Sequence, residues 1–319
     1  MLRIINLLAG VYTKQNAVIT ILCRNSDEDG IAKTLENFEE RFNSKYNYPY
    51  VFLNDKEFTD EFKERLNKVT RNNAKYGKVK SVDWDMPNTI DISRAEKYWK
   101  EMMTKNIPYA DRISYHNMCR YFSKGFYKHP LLLEYDYYWR IEPNVIFHCD
   151  IDFDPFDEME TNGYKYSFVI TIYEFMETIK TLMKTTAEFL IKNDIEQKDN
   201  LRFMFEKGRY NGCHFWSNFE IASFEFLRSK IYNDYVDYLD NSGGFYYERW
   251  GDAPVHSIAA ALFLNKSEIH FFDKIGYTHD VFMHCPSKGK KCNCDVSKSV
   301  DFAYGSCLPA YLKDKEEIL

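Results

Sequence analysis

The stretch RIEPNVIFHCDIDFD, Arg140 to Asp154, sets an arginine and a cysteine among the carboxylates Glu142, Asp150, Asp152 and Asp154. Carboxylate oxygens suit a hard divalent cation. Asp150-Ile151-Asp152 has the D-x-D spacing by which many nucleotide-sugar enzymes hold one. Glu142 is a second candidate. Pro143 follows it, forcing the chain out of a sheet ladder and exposing the carboxylate at the edge. A salt bridge from Glu142 to Arg140 or Arg120 is the competing reading.

Four more stretches concentrate His, Glu, Asp, Arg, Trp and Tyr: SYHNMCRYFS (114–123), YNGCHFWSNFEIASFEFLRS (210–229), GGFYYERWGDAPVHSIAAALFL (243–264) and HFFDKIGYTHDVFMHCP (270–286). Asp252 can accept a proton from a hydroxyl or hold sugar hydroxyls. His256, one helical turn further on, orients Asp252 or packs. Arg140 and Arg249 match anionic oxygens bidentately, with internal salt bridges as the alternative. Trp216 and Trp250 offer faces that stack on sugars or fill a core. Gly243-Gly244 permits a tight turn close to substrate.

These groups need a scaffold. AVITILCRN (Ala17–Asn25) is an apolar run ending in polar residues, the profile of a buried strand. Ser26 is placed to cap the next helix, whose core face is Leu35, Phe38 and Phe42. YPYVFLND (48–55) follows as a strand, giving the β-α-β opening of a nucleotide-binding sheet. Arg24 and Asn25 lie at the carboxyl end of the first strand, where such sheets bind ligands. Neither G-x-G-x-x-G nor a Walker loop follows, which argues against nicotinamide enzymes and P-loop NTPases. Helices are expected over 56–72, 91–103, 115–127 and 175–192. Strands are expected over 135–142, 166–173 and 267–273. The chain has no internal repeat and no Pro/Gly/Ser-rich linker, so one domain over 1–319 is expected, with 279–319 a loop-rich tail.

A net charge of −6, from 42 basic and 48 acidic residues, without a long cationic run, argues against a nucleic-acid partner. No stretch reaches the ~18 apolar residues of a membrane span, so membrane association would need an anchor outside this chain. Aromatic residues make up 17% of the chain, with 25 Tyr and 25 Phe, enough for sugar stacking as well as core packing. Of eight cysteines, four crowd the last 35 residues in a C-x-C pattern unlike paired zinc knuckles. Disulfides stapling the tail, and a secretory compartment, are the expectation.

Taken together, YYWRIEPNVIFHCDIDFDPF, YNGCHFWSNFEI, ERWGDAPVHS and IGYTH resemble the fungal α-1,2-mannosyltransferases, retaining GDP-mannose-dependent enzymes of the Golgi. The resemblance runs from ILCRN to the C-terminal cysteines. It implies an α/β GT-A type nucleotide-sugar-binding fold with a mixed central sheet flanked by helices. It further implies Mn2+, a GDP-mannose donor, a mannosylated glycoprotein acceptor and a Golgi-lumen catalytic domain. Glu142 and His279 match the metal-holding glutamate and histidine of the family. Asn144 departs from the aspartate that many relatives carry there, which bears on metal affinity through the second shell. Glu220 matches the residue proposed as nucleophile, serving either as that or as a stabiliser of oxocarbenium charge. Tyr115 matches a tyrosine that contacts the donor near its phosphates. On this reading Asp150, Asp152 and Asp154 hold local structure. A catalytically silent sugar-binding paralogue would be marked by loss of Glu142, Glu220, Asp252 or His279, all present here. A glycoside hydrolase, the other rival, would need neither nucleotide nor metal site.

Overall fold

A computed structural model describes residues 14–195, 202–207 and 209–316. Its first half is parallel. β1 (Ala17–Leu22), β2 (Tyr50–Asn54), β3 (Ala74–Lys78) and β4 (Tyr137–Arg140) run alongside one another, with β1 between β2 and β4. The later strands are β5 (Ile146–Phe147), β6 (Tyr166–Phe168), β7 (Thr171–Tyr173), β8 (Phe205–Glu206), β9 (Arg209–Tyr210) and β10 (Cys213–Phe215). β11 (Glu220–Ser223), β12 (Ile269–Phe271), β13 (Tyr277–His279) and β14 (Phe282–His284) complete the set. The central sheet has seven strands in the order β12-β6-β11-β4-β1-β2-β3, and β11 is antiparallel to both of its neighbours. This is the expected mixed α/β sheet flanked by helices.

Period-2 alternation sorts the sheet's side chains into two cores. Ile19, Phe52, Trp139 and Ile221 pack on one face under the helix Glu28–Phe38. Val18, Val51, Tyr138 and Ala222 pack on the other, under the helices Ile113–Lys124 and Asp252–Phe263. By the same parity Arg140 and Glu220, directly opposed in register, share the second face. Two charges are thereby driven under a helical roof, where each needs a partner.

Several expectations shift by physical causes that can be named. Leu35, Phe38 and Phe42 are buried as expected. The first turn, however, is closed by Asp27, whose carboxylate accepts the Arg24 backbone N–H at 2.8 Å, and not by Ser26. The single strand expected over 166–173 is two. Phe168 still accepts from Phe272 N–H, but Ile170 accepts from Trp216 N–H, so the chain changes partner sheets between them. The tail is not merely loops: β13 and β14 form a hairpin, and Leu308–Glu316 is helical. Leu308 and Tyr311 bury the apolar side of that helix, with Tyr311 edge-on to Phe168, Phe203 and Phe215.

Disulfides hold this tail down. Cys285–Cys294 closes it locally, while Cys149–Cys292 and Cys213–Cys307 tie it to the body. The last two close loops of 143 and 94 residues in sequence separation, the range in which chain entropy gives about 4–5 kcal/mol each. Replacing Cys213 and Cys307 together by serine is expected to lower stability by ~4 kcal/mol. The check is thermal unfolding in non-reducing buffer. An unchanged midpoint would show that the bond adds nothing to the fold.

Candidate active site

The strand order reverses between β1 and β4, since β2 lies on one side of β1 and β4 on the other. At such a switch point the carboxyl ends of neighbouring strands part and leave a crevice. A cavity of about 290 Å³ opens there, lined by Cys23 and Arg24 after β1, Asn54 and Asp55 at the end of β2, and Glu142 after β4. Tyr109, Arg112, Ser114 and Tyr115 close it from the other side. Tyr109 and Tyr115 stack with centroids 4.7 Å apart, and Arg24 Nη2 donates to Ser114 Oγ at 3.2 Å. Two guanidiniums, amides and stacked rings suit a purine nucleotide with its phosphates.

Below the cavity lies a buried charge network. Arg140 donates to Glu142 Oε1 from Nε at 2.7 Å, and from Nη1 to Asp252 Oδ2 at 2.5 Å. Its guanidinium sits 3.4 Å from the Phe122 ring centroid. Asp252 opens its helix and also accepts from Ser217 Oγ at 2.6 Å. Burial alone would raise its carboxyl pKa. Arg140, then His256 and Ser217, hold it below the ordinary aspartate range. Arg140 thus links Glu142, at the cavity, to Asp252 in the interior.

Glu220 is 0% exposed. Its Oε1 accepts from Tyr138 OH, and its Oε2 from Tyr166 OH at 2.5 Å and His256 Nδ1 at 2.8 Å. His256 Nε2 faces the Phe122 carbonyl at 3.1 Å. With acceptors on both ring nitrogens His256 is an imidazolium, and the two form a buried ion pair. Burial opposes both charges; even so, Glu220 holds the His256 pKa above normal, and His256 with the two tyrosines holds that of Glu220 below normal. The stability from His256 is therefore complete below pH 6.5 and lost as pH rises through its elevated folded value. That from Glu220 is complete above pH 4.5 and lost as pH falls through its depressed value. His256→Asn is expected to flatten the alkaline limb of a stability-against-pH curve. An alkaline limb identical to that of the unsubstituted chain would refute this assignment.

Glu220 and His256 therefore differ from their expected placement. Glu220 does not line the cavity, and the hydroxyl and imidazole donors already occupy its oxygens. His256 is turned to Glu220 and not to substrate or Asp252. Trp250 is not a sugar platform: it is 1% exposed, packed on Phe245 and Gly244, with Nε1 donating to Glu248. Gly243-Gly244 is no substrate turn; Gly243 ends a helix at φ 76° and a Cβ on Gly244 would strike Trp250. The D-x-D carboxylates face cations. Asp150 pairs with Arg41 at 2.8 Å and Asp152 with Lys290 at 2.6 Å. Asp154 caps Phe156 N–H at 2.9 Å, and its other oxygen accepts from Tyr48 OH.

His279 ends β13, which pairs with β5 just beyond Glu142. Its Nδ1 lies 2.9 Å from the Asn218 side-chain amide. Metal binding through Nε2 requires a proton on Nδ1, with Asn218 presenting its oxygen, a half-turn of the amide. Trp216 stands edge-on to His279 with centroids 5.2 Å apart. Arg249 is buried, 3.3 Å from Glu174 and with its guanidinium 5.2 Å from the Tyr115 ring. Burial lifts the Tyr115 pKa well above normal, so its hydroxyl stays a donor. Ser217, Asn218 and Glu174 escaped the sequence reading. Glu174 had one signal: an acid just past the end of a strand, as Glu142 is.

A switch-point crevice lined by a carboxylate and guanidiniums is the architecture of a nucleotide-sugar transferase. Comparison with known proteins makes the class specific. Residues 2–316 match the family described as glycolipid 2-alpha-mannosyltransferase, and the chain belongs to it. It is an α-1,2-mannosyltransferase by family. It is 48% identical to alpha-1,2 mannosyltransferase KTR1 of Saccharomyces cerevisiae, over 92% of this chain and 77% of that one. It is 46% identical to the O-glycoside alpha-1,2-mannosyltransferase omh1 of Schizosaccharomyces pombe, over 93% and 78%. The crystal structure of S. cerevisiae Ktr4p with GDP superposes with a TM-score of 0.91 at 40% identity, over 94% of this chain and 82% of that one. The Mn/GDP form of Aspergillus fumigatus core-mannan synthase A gives 0.90 at 38% identity, over 96% and 87%.

Proposed function

We propose that the chain moves mannose from GDP-mannose to the 2-hydroxyl of an α-mannoside on a glycoprotein glycan, retaining the anomeric configuration. The observation that carries this is the cavity at the strand switch point with Glu142 in its wall. The solved relatives bound to GDP, one with manganese, support the donor and the ion. The residues present fit Mn2+: a carboxylate oxygen from Glu142 and an imidazole nitrogen from His279 suit it, and two ligands leave positions for diphosphate oxygens. Among the described residues no group of three or more His, Cys, Asp or Glu is placed to hold a metal, so the substrate would supply the rest. When bound, the ion neutralises charge on the leaving diphosphate.

The chain's own residues do the remainder. Arg24 and Arg112 line the phosphate end of the cavity, and Tyr115 offers its hydroxyl as a donor between the cavity and the Arg249–Glu174 pair. With Glu220 sealed in its ion pair, front-face attack accounts for retention. The acceptor oxygen bonds to the anomeric carbon as the carbon–phosphate oxygen bond breaks on the same side. The acceptor proton leaves with the phosphate. Asp252, kept ionised by Arg140, holds the acceptor's side of the site through Ser217 and Arg140. The disulfides support an oxidising compartment, in keeping with a Golgi-lumen enzyme. No described helix is long and apolar enough to cross a membrane.

Purified protein with Mn2+, GDP-mannose and methyl α-mannoside is expected to give an α-linked disaccharide; a β-linked product would overturn retention. Tyr115→Phe is expected to lower kcat about 10²–10³-fold, the usual loss for a donor aimed at developing charge. The KM for GDP-mannose should move little. An unchanged kcat would remove Tyr115 from the reaction.

A further inference from the structure

Beside the Arg249–Glu174 pair the surface turns apolar. Tyr173, Phe175 and Met176 flank Glu174 and are 41%, 53% and 43% exposed. Glu174 turns inward, with Oε2 only 3.6 Å from where a Cβ on Gly251 would sit, next to Asp252. Met176 covers Gly212 from outside. Glu177 pairs with Lys105 at 3.6 Å, which sets this segment against the end of the helix Ile92–Thr104. The C-terminal loop extends the same edge. Tyr173 N–H donates to the Gly305 carbonyl at 3.2 Å, and Ile172 bridges to Ser306. Cys213–Cys307 pins that loop, leaving the Tyr304 ring wholly in solvent and Phe302 77% exposed.

A run of exposed rings beside the Arg249–Glu174 pair, which itself reaches the Tyr115 ring in the cavity wall, marks a binding surface. Aromatic faces suit the C–H surface of a sugar, and tyrosine hydroxyls its hydroxyls. We infer that Tyr173, Phe175, Met176 and Tyr304 form a platform for the mannose residues that precede the reacting one in an oligosaccharide acceptor. The inference rests on the transferase reading above. It places the contacts to those preceding residues on a surface outside the reaction centre. The Cys213–Cys307 disulfide sets the position of half of that surface.

The test compares methyl α-mannoside with α-1,2-mannotriose at saturating GDP-mannose and Mn2+, in the wild type and in Phe175→Ala/Tyr304→Ala. The variant should raise KM for mannotriose about tenfold and leave kcat/KM for methyl α-mannoside unchanged. An unchanged KM for mannotriose would overturn the platform, as would an equal loss on both acceptors. A second readout needs no turnover. In saturation-transfer NMR without manganese, wild type should saturate all three residues of mannotriose and the variant only one. Saturation of one residue alone in the wild type would refute the platform, whatever the transferase assay shows.

Discussion

Glu142→Ala is expected to abolish mannose transfer while leaving the fold intact. Glu142 is the acidic group that both faces the cavity and joins the buried network through Arg140. Its removal leaves Arg140 paired with Asp252 and hydrogen-bonded to Ser217, so no buried charge is orphaned. On the proposed role of Glu142 the expected loss is one of cation binding, and cation neutralisation of a leaving diphosphate is worth several kcal/mol, about three orders of magnitude in rate. Calorimetry should show GDP binding that depends on Mn2+ in the wild type and no longer does so in the variant. Excess chelator should silence the wild type to the same level. Full activity in chelator would sink the assignment, and so would a variant that kept its metal dependence.

Glu220→Gln is expected to show the opposite pattern. The isosteric amide can accept from only one of the two tyrosine hydroxyls and leaves a buried imidazolium without its anion, a change that costs about 3–5 kcal/mol. The variant should unfold at markedly lower temperature. Its kcat per folded molecule should stay within about tenfold of wild type, far from the ~10⁴-fold or greater loss that removing a nucleophile brings. Glu220→Ala adds a sharper test, because a small external nucleophile such as azide rescues an enzyme that has lost its own. Azide rescue, yielding a mannosyl azide, would restore Glu220 as nucleophile and remove the ion-pair reading.

Much of this fold was legible because patterns of period 2 and 3.6 act locally. AVITIL reads as a buried strand whether or not its neighbours are known, and Leu35, Phe38 and Phe42 read as one helix face. The split of YSFVITIY was not legible, since alternation records which side of a strand is apolar and says nothing of which sheet it joins. The cavity wall was legible where a motif broke a strand, at Glu142-Pro143 and after β1. Glu220 misled for a related reason. A carboxylate in a β-strand reads the same whether it meets a substrate or a histidine 36 residues away, and only the tertiary contact decides. Trp250 failed likewise, its indole meeting Gly244 in the core. Ser217 and Asn218, between the expected Trp216 and Glu220, carried no distinguishing spacing at all.

The pairing of β5 with β13 carries a last consequence. Glu142 is made early and His279 late, and the strand that brings them together is latched by Cys149–Cys292. A chain that stops before β13 lacks the strand that pairs with β5 and the cysteine that bonds Cys149. The junction of an early and a late segment is therefore fixed covalently only once the last part of the chain is in place.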